Sequence, residues 1–430
     1  MSDFAKTIAI LTICDGLNPD WINEERTPVI AGLRTEGMWC ADHVSVFPSV
    51  TRNSAASLTT GCRSADHGLH GNTMALNERG RLVVRDVGKP DFRHFMRQAT
   101  GGTLRAPALA ERIGKAGVAV AYSNVSPGAA YFLDPEHFGW VYHRAGSFGP
   151  GGEPLTNGRG LDVSHDAAGD REMTTRFCDD IVTRPDLALG ILWLSNPDAT
   201  LHLHPLGSPE HIQALRAADA CVGQVAETVS RLRAKGYNVL FLIGSDHGME
   251  TVYGYKDIQA QLSEAGFGDI FLRGEAAVAP QGSGALLYAA PNALPRFGDA
   301  LDYLADQSWV DRVIPLSGLS EVGHGPRGRL IAAVNMGKIE AANPYGVPGM
   351  RWGAAKSGNG DVSLLPTGTG IHGGLGAAET RPFLIAQGRN YNPGSETTAR
   401  TGLVNIAPTI LDFLGISKTG MEGSPLPERA

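Results

Sequence analysis

Cysteine is scarce in this chain, and what there is of it lacks pattern. Five cysteines in 430 residues (Cys14, Cys40, Cys62, Cys178 and Cys221) are odd in number and show no C-x-x-C spacing. That argues against a disulfide framework or a zinc–thiolate site and leaves reduced thiols of the kind a cytoplasmic protein carries. Excess positive charge is missing as well: 37 Lys and Arg stand against 44 Asp and Glu, a net charge of −7. A nucleic-acid polymer or an anionic membrane surface wants the opposite sign, so neither is expected as a partner. No apolar run approaches the length of a membrane span. The opening MSDFAKTIAI passes straight into a strand-like run, without the charged and long apolar regions of a secretory leader. Internal repeats and low-complexity tracts are lacking too. The expectation is a cytoplasmic protein acting on a small soluble molecule, with no oligomeric state legible.

What is present is the makeup of a folded chain, 42% hydrophobic and 19% charged, with glycine plentiful at 55 residues. Its length can bury a sizeable core and suggests two or three domains. The run NVLFL leading to Ile243 reads as a buried parallel strand, and it stops on Asp246-His247-Gly248. A lone Asp-His pair is most often a capped strand end with a satisfied histidine. Here other apolar runs end alike: KTIAILTIC (6–14) delivers Asp15, and LALGILWLSNPD (187–198) delivers Asp198. Helical spacing appears in TPVIAGLRTEG (27–37), APALAERIGKAG (106–117), the long 209–236 stretch and TGLVNIAPTILDFLGI (401–416). Between them lie the strands VAVAYSN (118–124) and PFLIAQG (382–388). Residues 62 to about 100 read as turn-rich, and 126–172 as an ordered surface excursion. After Met249 the texture changes to strand, helix and strand without ligands at strand ends. The reading is therefore an α/β fold: a mostly parallel central sheet with helices on both faces, from 1–249 and 371–430, with a smaller α+β cap inserted at 250–370.

Ligands gather beyond the carboxyl ends of parallel strands. Asp15, Asp198 and Asp246-His247 fall there, Asp198-Ala-Thr-Leu-His202 places a histidine one turn on, and His372 returns after the cap in GTGIHGG. Six oxygen and nitrogen ligands exceed one tetrahedral ion and suit two cations sharing a nucleophile. The nucleophile would be Thr51, at an N-cap-like position before an Ala- and Ser-rich helix (51–61), where free N–H groups favour a phosphoryl group. An isolated threonine there would be a plain cap, and Ser54 and Ser57 are rivals placed inside the helix.

Assembled in order, these segments resemble the alkaline phosphatase superfamily, in its branch of nucleotide pyrophosphatases/phosphodiesterases and phosphonoacetate hydrolases. The resemblance rests on Asp15-Gly16, Pro48 to Thr51 running to Thr60-Gly61, HGLHGN (67–72), PDATLH (197–202), GSDHGM (244–249), GIHGG and the closing IAPTILDFLGI. It implies one metal held by Asp198, His202 and His372, and a second held by Asp15, Asp246 and His247 with Thr51 bridging. The family's usual metal is zinc. It also implies that Asn72 helps hold a phosphoryl oxygen; an asparagine ending such a string is as readily a turn residue. The branch often continues T-x-P-N, whereas here Arg52-Asn53-Ser54 follows Thr51, so Arg52 is a candidate for a substrate anion. His204 is an alternative to His202, and His43, His67, His70 and His324 read as turn or surface histidines. Sulfatase (C/S-x-P-x-R) and phosphoglycerate-mutase (GNSEVGH-like) signatures are absent. The expected activity is a phosphodiesterase or nucleotide pyrophosphatase on small substrates. The alternatives are a carbon–phosphorus hydrolase, where Arg52, Arg105 and Arg144 are candidates for a substrate carboxylate, a phosphomonoesterase, or a silent metal- or nucleotide-binding relative.

Overall fold

The computed structural model describes residues 6–325, 327–355 and 365–428. Its centre is an eight-stranded sheet. In chain order its strands are β1 (Lys6–Cys14), β2 (Met38–Cys40), β3 (Val118–Ser123), β4 (Trp140–Tyr142), β5 (Leu187–Leu194), β6 (Tyr237–Gly244), β7 (Leu384–Gln387) and β8 (Ser395–Thr397). Across the sheet the order is β8-β2-β7-β6-β1-β5-β3-β4, and only β7 runs against its neighbours. Strands β1, β5 and β6 are apolar nearly throughout because both faces are covered. On one side Ile8 and Ile10 pack with Phe177 of the Ala167–Thr183 helix and Leu215 and Val222 of the Pro209–Ala234 helix. On the other, Ala9, Leu11 and Ile13 meet Ala55 and Leu58 of the Thr51–Thr60 helix and Ile406 and Ile410 of the Ile406–Phe413 helix. The alternation along β1 is the period-two geometry of a strand.

Chain between 250 and 371 builds two further four-stranded sheets. One, Ala276–Pro280, Gly284–Ala289, Leu330–Met336 and Val310–Pro315, is antiparallel and carries the Leu294–Ala305 helix through Phe297, Ala300 and Leu304. The other contains Glu250–Lys256 and Gly370–Ile371, paired antiparallel with Glu250 opposite Ile371. The departing and returning chain are thus zipped together, and that pairing brings His372 back beside the end of β6.

Three stretches differ from the sequence expectation. The "turn-rich" 62–100 holds a hairpin, Thr73–Glu78 with Arg81–Asp86, and a helix, Phe92–Thr100. Arg79 and Gly80 both take positive φ at its tip, the geometry of a tight hairpin turn. The "excursion" 126–172 contributes edge strand β4 and the start of the Ala167–Thr183 helix. The first strand expected after Met249, AVAPQGSGALLYAA (277–290), is two strands reversing at Gln281–Ser283, not one. The hairpin from the first half also packs on the 276–280 strand: Ala75 and Phe47 share a buried cluster with Ala277, Ala279 and Leu286. Among the described residues no helix is long and apolar enough to cross a membrane.

Candidate metal centre and active site

Asp15 leaves β1 at the carboxyl edge, where Gly16 (φ 72°) turns the chain and its N–H donates to Asp246 Oδ1 at 3.2 Å. A Cβ at Gly16 would lie 3.0 Å from the Asp198 Cβ, so close approach of these loops asks for glycine. The Trp193 indole donates to Asp15 Oδ2 at 2.9 Å. The other oxygen, Oδ1, is buried with no hydrogen-bond partner, and so are Asp198 Oδ1 and Asp246 Oδ2. Three orphaned carboxylate oxygens on one rim are a costly arrangement unless something positive sits among them.

The imidazoles supply the matching half. His247 bonds the Gly248 carbonyl through Nδ1 (3.0 Å), His372 the Ser49 carbonyl (2.8 Å) and His202 the Gly370 carbonyl (3.3 Å). Each bond assigns the proton to Nδ1 and turns a bare Nε2 inward, the tautomer a metal-ligating histidine needs. His247 Nε2 lies 3.4 Å from Asp15 Oδ1 and 3.3 Å from Asp246 Oδ2; His202 and His372 Nε2 lie 3.3 and 3.5 Å from Asp198 oxygens. Donor atoms of Asp198, His202 and His372 form one compact group, and those of Asp15, Asp198 and His247 another. Asp198 thus stands in both, with Asp246 reaching the second through its own oxygen. The His247 and His372 rings stack at 3.7 Å between centroids, so the two groups adjoin.

Burial and mutual repulsion act strongly on these groups. Desolvation first, then the charges of Asp246 and Asp198, raise Asp15 well above the ordinary carboxylate range. Desolvation and Asp198 raise Asp246 against the opposing pull of His247. His372 is pushed well below the usual imidazole value by burial and by His247 and His202.

Thr51 is the first residue of its helix and is 8% exposed; the cap position belongs to Val50, one residue earlier than the sequence suggested. Its Oγ1 lies 3.3 Å from His247 Nε2. The Arg52 N–H, one of the unpaired donors of a helix start, points at Asn72 Oδ1 (3.4 Å). Asn72 is held by its own N–H to Gln281 Oε1 at 2.7 Å. A cleft of ≈ 450 Å³ opens over these groups and is lined by Asp15, Thr51, Arg52, Asn72, Asp198 and His202, among others. Arg144 lines it as well, whereas Arg105 is engaged with the carbonyls of Ala65 and Asp66 and is not part of it. Ser54 and Ser57 are buried in the helix, Ser57 against His67 at 2.9 Å. His204 is half-exposed and 4.0 Å from Glu210. His43, His67, His70 and His324 are not surface residues: all four are buried, and desolvation lowers them, to about 3 for His43 and His67 and about 4 for His324.

Two supporting carboxylates escaped the sequence reading. Asp170 accepts from the N–H and hydroxyl of Ser195, the N–H and amide of Asn196, and the amide of Asn124, all at 2.9–3.1 Å. It clamps the turn that delivers Asp198. The signal for its helix was present, since Asp166 caps it by accepting from Gly169 N–H at 2.9 Å. Glu379, fully buried, gathers the N–H groups of Gly374 and Gly376, the Ser283 hydroxyl and Arg351 around the loop bearing His372. Asp170→Ala strands these donors, and we expect a stability loss of about 3 kcal/mol with weakened cation binding. Urea unfolding and a metal titration measure both; an unchanged pair of values removes the clamp role.

A family model described as type I phosphodiesterase / nucleotide pyrophosphatase matches residues 9–307. The human ectonucleotide pyrophosphatase/phosphodiesterase family member 7 is 28% identical over 228 residues, 45% of this chain and 47% of that protein. The match therefore spans about half the length of that curated relative. Among solved structures, murine ectonucleotide pyrophosphatase/phosphodiesterase 5 superposes with TM-score 0.69 at 18% identity, covering 97% of each chain. An inactive variant of it in complex with AMP gives 0.70. Phosphonoacetate hydrolase from Sinorhizobium meliloti 1021, in complex with phosphonoformate, gives 0.66 at 17% identity and 95% of each chain.

Proposed function

From the premise that the chain belongs to the type I phosphodiesterase / nucleotide pyrophosphatase family, we propose that it is a metal-dependent hydrolase whose Thr51 attacks phosphorus. The observation that carries this is the convergence of three orphaned carboxylate oxygens and three inward Nε2 atoms beside one nearly buried hydroxyl. That donor set fits two divalent cations: Asp198, His202 and His372 would hold one, and Asp15, Asp246 and His247, with Thr51 beside them, the other. Zinc suits mixed imidazole and carboxylate ligation. When bound, such cations supply the charge that lowers the hydroxyl pKa and offsets the negative phosphoryl oxygens.

The chain's own groups do the rest. The Thr51 hydroxyl gives up its proton as Oγ1 forms a bond to phosphorus, and the bond to the leaving group breaks, the leaving group departing with the electron pair and taking up a proton. Water then cleaves the phosphorylated threonine and restores the hydroxyl. Asn72, with Oδ1 facing the Arg52 N–H, keeps its amide N–H groups for a phosphoryl oxygen. The first-turn N–H groups of the ten-residue Thr51–Thr60 helix add favourable polarity to the same place.

The substrate class is a small soluble phosphodiester or pyrophosphate. A second reading, phosphonate cleavage, is favoured by Arg52 and Arg144 in the cleft. The division into a catalytic core (1–249 and 371–430) and a cap (250–370) belongs to this proposal, supported by the separate sheets and the Phe297 cluster of the 250–371 region. So does a cytoplasmic setting, supported by five buried, unpaired cysteines.

The test is turnover of bis-p-nitrophenyl phosphate, a dinucleotide, phosphonoacetate and p-nitrophenyl phosphate by zinc-loaded and by chelator-treated protein. Hydrolysis of at least one, lost on chelation and restored by zinc or another divalent ion, is the expected result. Inertness toward all four under every metal would leave a silent metal-binding relative.

A further inference from the structure

The turn Gln281–Ser283, between the strands Ala276–Pro280 and Gly284–Ala289, lies behind the cleft and touches two residues that line it, Asn72 and His372. Gln281 is buried, and both ends of its side-chain amide are engaged. Its Oε1 accepts from the N–H groups of Asn72 (2.7 Å) and Thr73 (3.4 Å). Its Nε2 donates to the carbonyls of Thr73 (2.7 Å) and Ala279 (3.1 Å). The backbone of the same turn holds His372, whose carbonyl accepts from the Ser283 N–H at 3.1 Å.

Glycines show how tightly these three pieces of chain are set. A Cβ on Gly71 would lie 2.2 Å from Gln281 Oε1, one on Gly282 2.0 Å from the His372 carbonyl oxygen, and one on Gly373 1.5 Å from the Gln281 carbonyl oxygen. A side chain fits at none of the three without a shift, so the spacing between the Asn72 loop and the His372 loop is set through Gln281. Asn72 is held at both of its peptide groups, since its carbonyl also accepts from the Val87 N–H at 3.0 Å. The side chain leaving this fixed point has Oδ1 3.4 Å from the Arg52 N–H, next to Thr51. Such placement is exacting, because an error of about 1 Å at a reacting centre can cost about 100-fold in rate.

We propose that Gln281 is a positioning residue for phosphoryl transfer, which sets Asn72 at a fixed distance from His372 so that the Asn72 amide meets an oxygen on the phosphorus that Thr51 attacks. This rests on the hydrolase reading above and adds to it a residue that touches neither substrate nor cation. Gln281 belongs to the 250–371 region, so that region builds active-site geometry as well as its own sheets.

The test is a double-mutant cycle read by calorimetric titration of zinc-loaded protein with orthovanadate, whose five-coordinate form resembles the transition state, and with inorganic phosphate. Turnover of bis-p-nitrophenyl phosphate is measured beside it. Two substitutions disturb the contact from opposite sides. Gln281→Met keeps the length of the side chain and removes its bonds. Gly71→Ala keeps Gln281 and drives a methyl group against its Oε1; Gly71 lies outside the left-handed region, so alanine adds no backbone strain of its own. Each should weaken vanadate binding about tenfold or more, weaken phosphate binding less, lower kcat with KM little changed, and leave the metal content as it was. Asn72→Ala retains the N–H that Gln281 holds and removes the group being placed. In that background the same two substitutions should change vanadate affinity by less than about twofold.

Losses repeated in full in the Asn72→Ala background overturn the positioning role, and so does a vanadate affinity that neither substitution moves. If Gln281→Met does not fold, Gly71→Ala carries the cycle alone. A coupled cycle in a protein without turnover would sink the hydrolase reading and keep the role of Gln281; turnover with an uncoupled cycle would do the reverse. A wild type that neither binds vanadate nor turns over substrate overturns both.

Discussion

Thr51→Ala is expected to lower turnover by about three orders of magnitude or more while the protein still folds and still binds its cations. The residue is the first of its helix, not its cap, so alanine removes no capping hydrogen bond and suits a helix start. What disappears is the hydroxyl 3.3 Å from His247 Nε2. Ser54 makes a useful contrast because it is fully buried one helical turn on, with an Oγ that has no partner. Ser54→Ala should therefore cost little activity, whereas Thr51→Ser should retain a measurable fraction by keeping an oxygen in place. The measurement is kcat on whichever diester or phosphonate the wild type turns over, with metal content determined on every variant. Equal rates for wild type and Thr51→Ala would move the nucleophile elsewhere. Equal loss in Thr51→Ala and Ser54→Ala would point to a damaged helix.

The pattern of effects follows how the chain encodes the site. The candidate ligand positions were legible because each closes a complete local signal: an apolar run, then Asp15, Asp198 or Asp246-His247 at its carboxyl end. A buried parallel strand needs nothing beyond its own residues to be recognised, and its end is where ligands collect. His372 was placed by motif order, and the Glu250–Ile371 pairing supplies the physical cause. The four core histidines could not be read this way. Whether His70 is at the surface depends on Tyr288, 218 residues away, whose hydroxyl lies 3.0 Å from its Nδ1. The Thr73–Asp86 hairpin was hidden by Arg79, a residue that disfavours positive φ and so masks the turn signal of Gly80. Asp170 and Glu379 were overlooked for a related reason: each works by bonding backbone N–H groups of distant loops, which leaves no imprint on local periodicity.

Asp246→Asn is expected to weaken cation binding by well over about 100-fold and yet to stabilise the metal-free chain at neutral pH. The substitution is nearly isosteric, and the side-chain carbonyl keeps accepting from the Gly16 N–H. Asp246 and Asp15 both have folded-state pKa values raised by burial and by neighbouring carboxylates. A raised carboxylate binds its proton more tightly folded than unfolded, so the metal-free protein is favoured below the unfolded value of about 4 and loses stability as pH rises toward the folded one. Removing one of the interacting anions should flatten that slope. Cations held by these carboxylates would reverse the penalty; a ligand at a thousand times its Kd adds about 4 kcal/mol. Chelation should therefore lower the Tm of wild type strongly and that of Asp246→Asn, which keeps only the Asp198–His202–His372 group, by clearly less. The two proteins should exchange rank between loaded and chelated conditions, read by thermal melts from pH 5 to 8. If wild type melts alike with and without metal, and the variant is weaker in both, these carboxylates serve the fold alone and hold no cation.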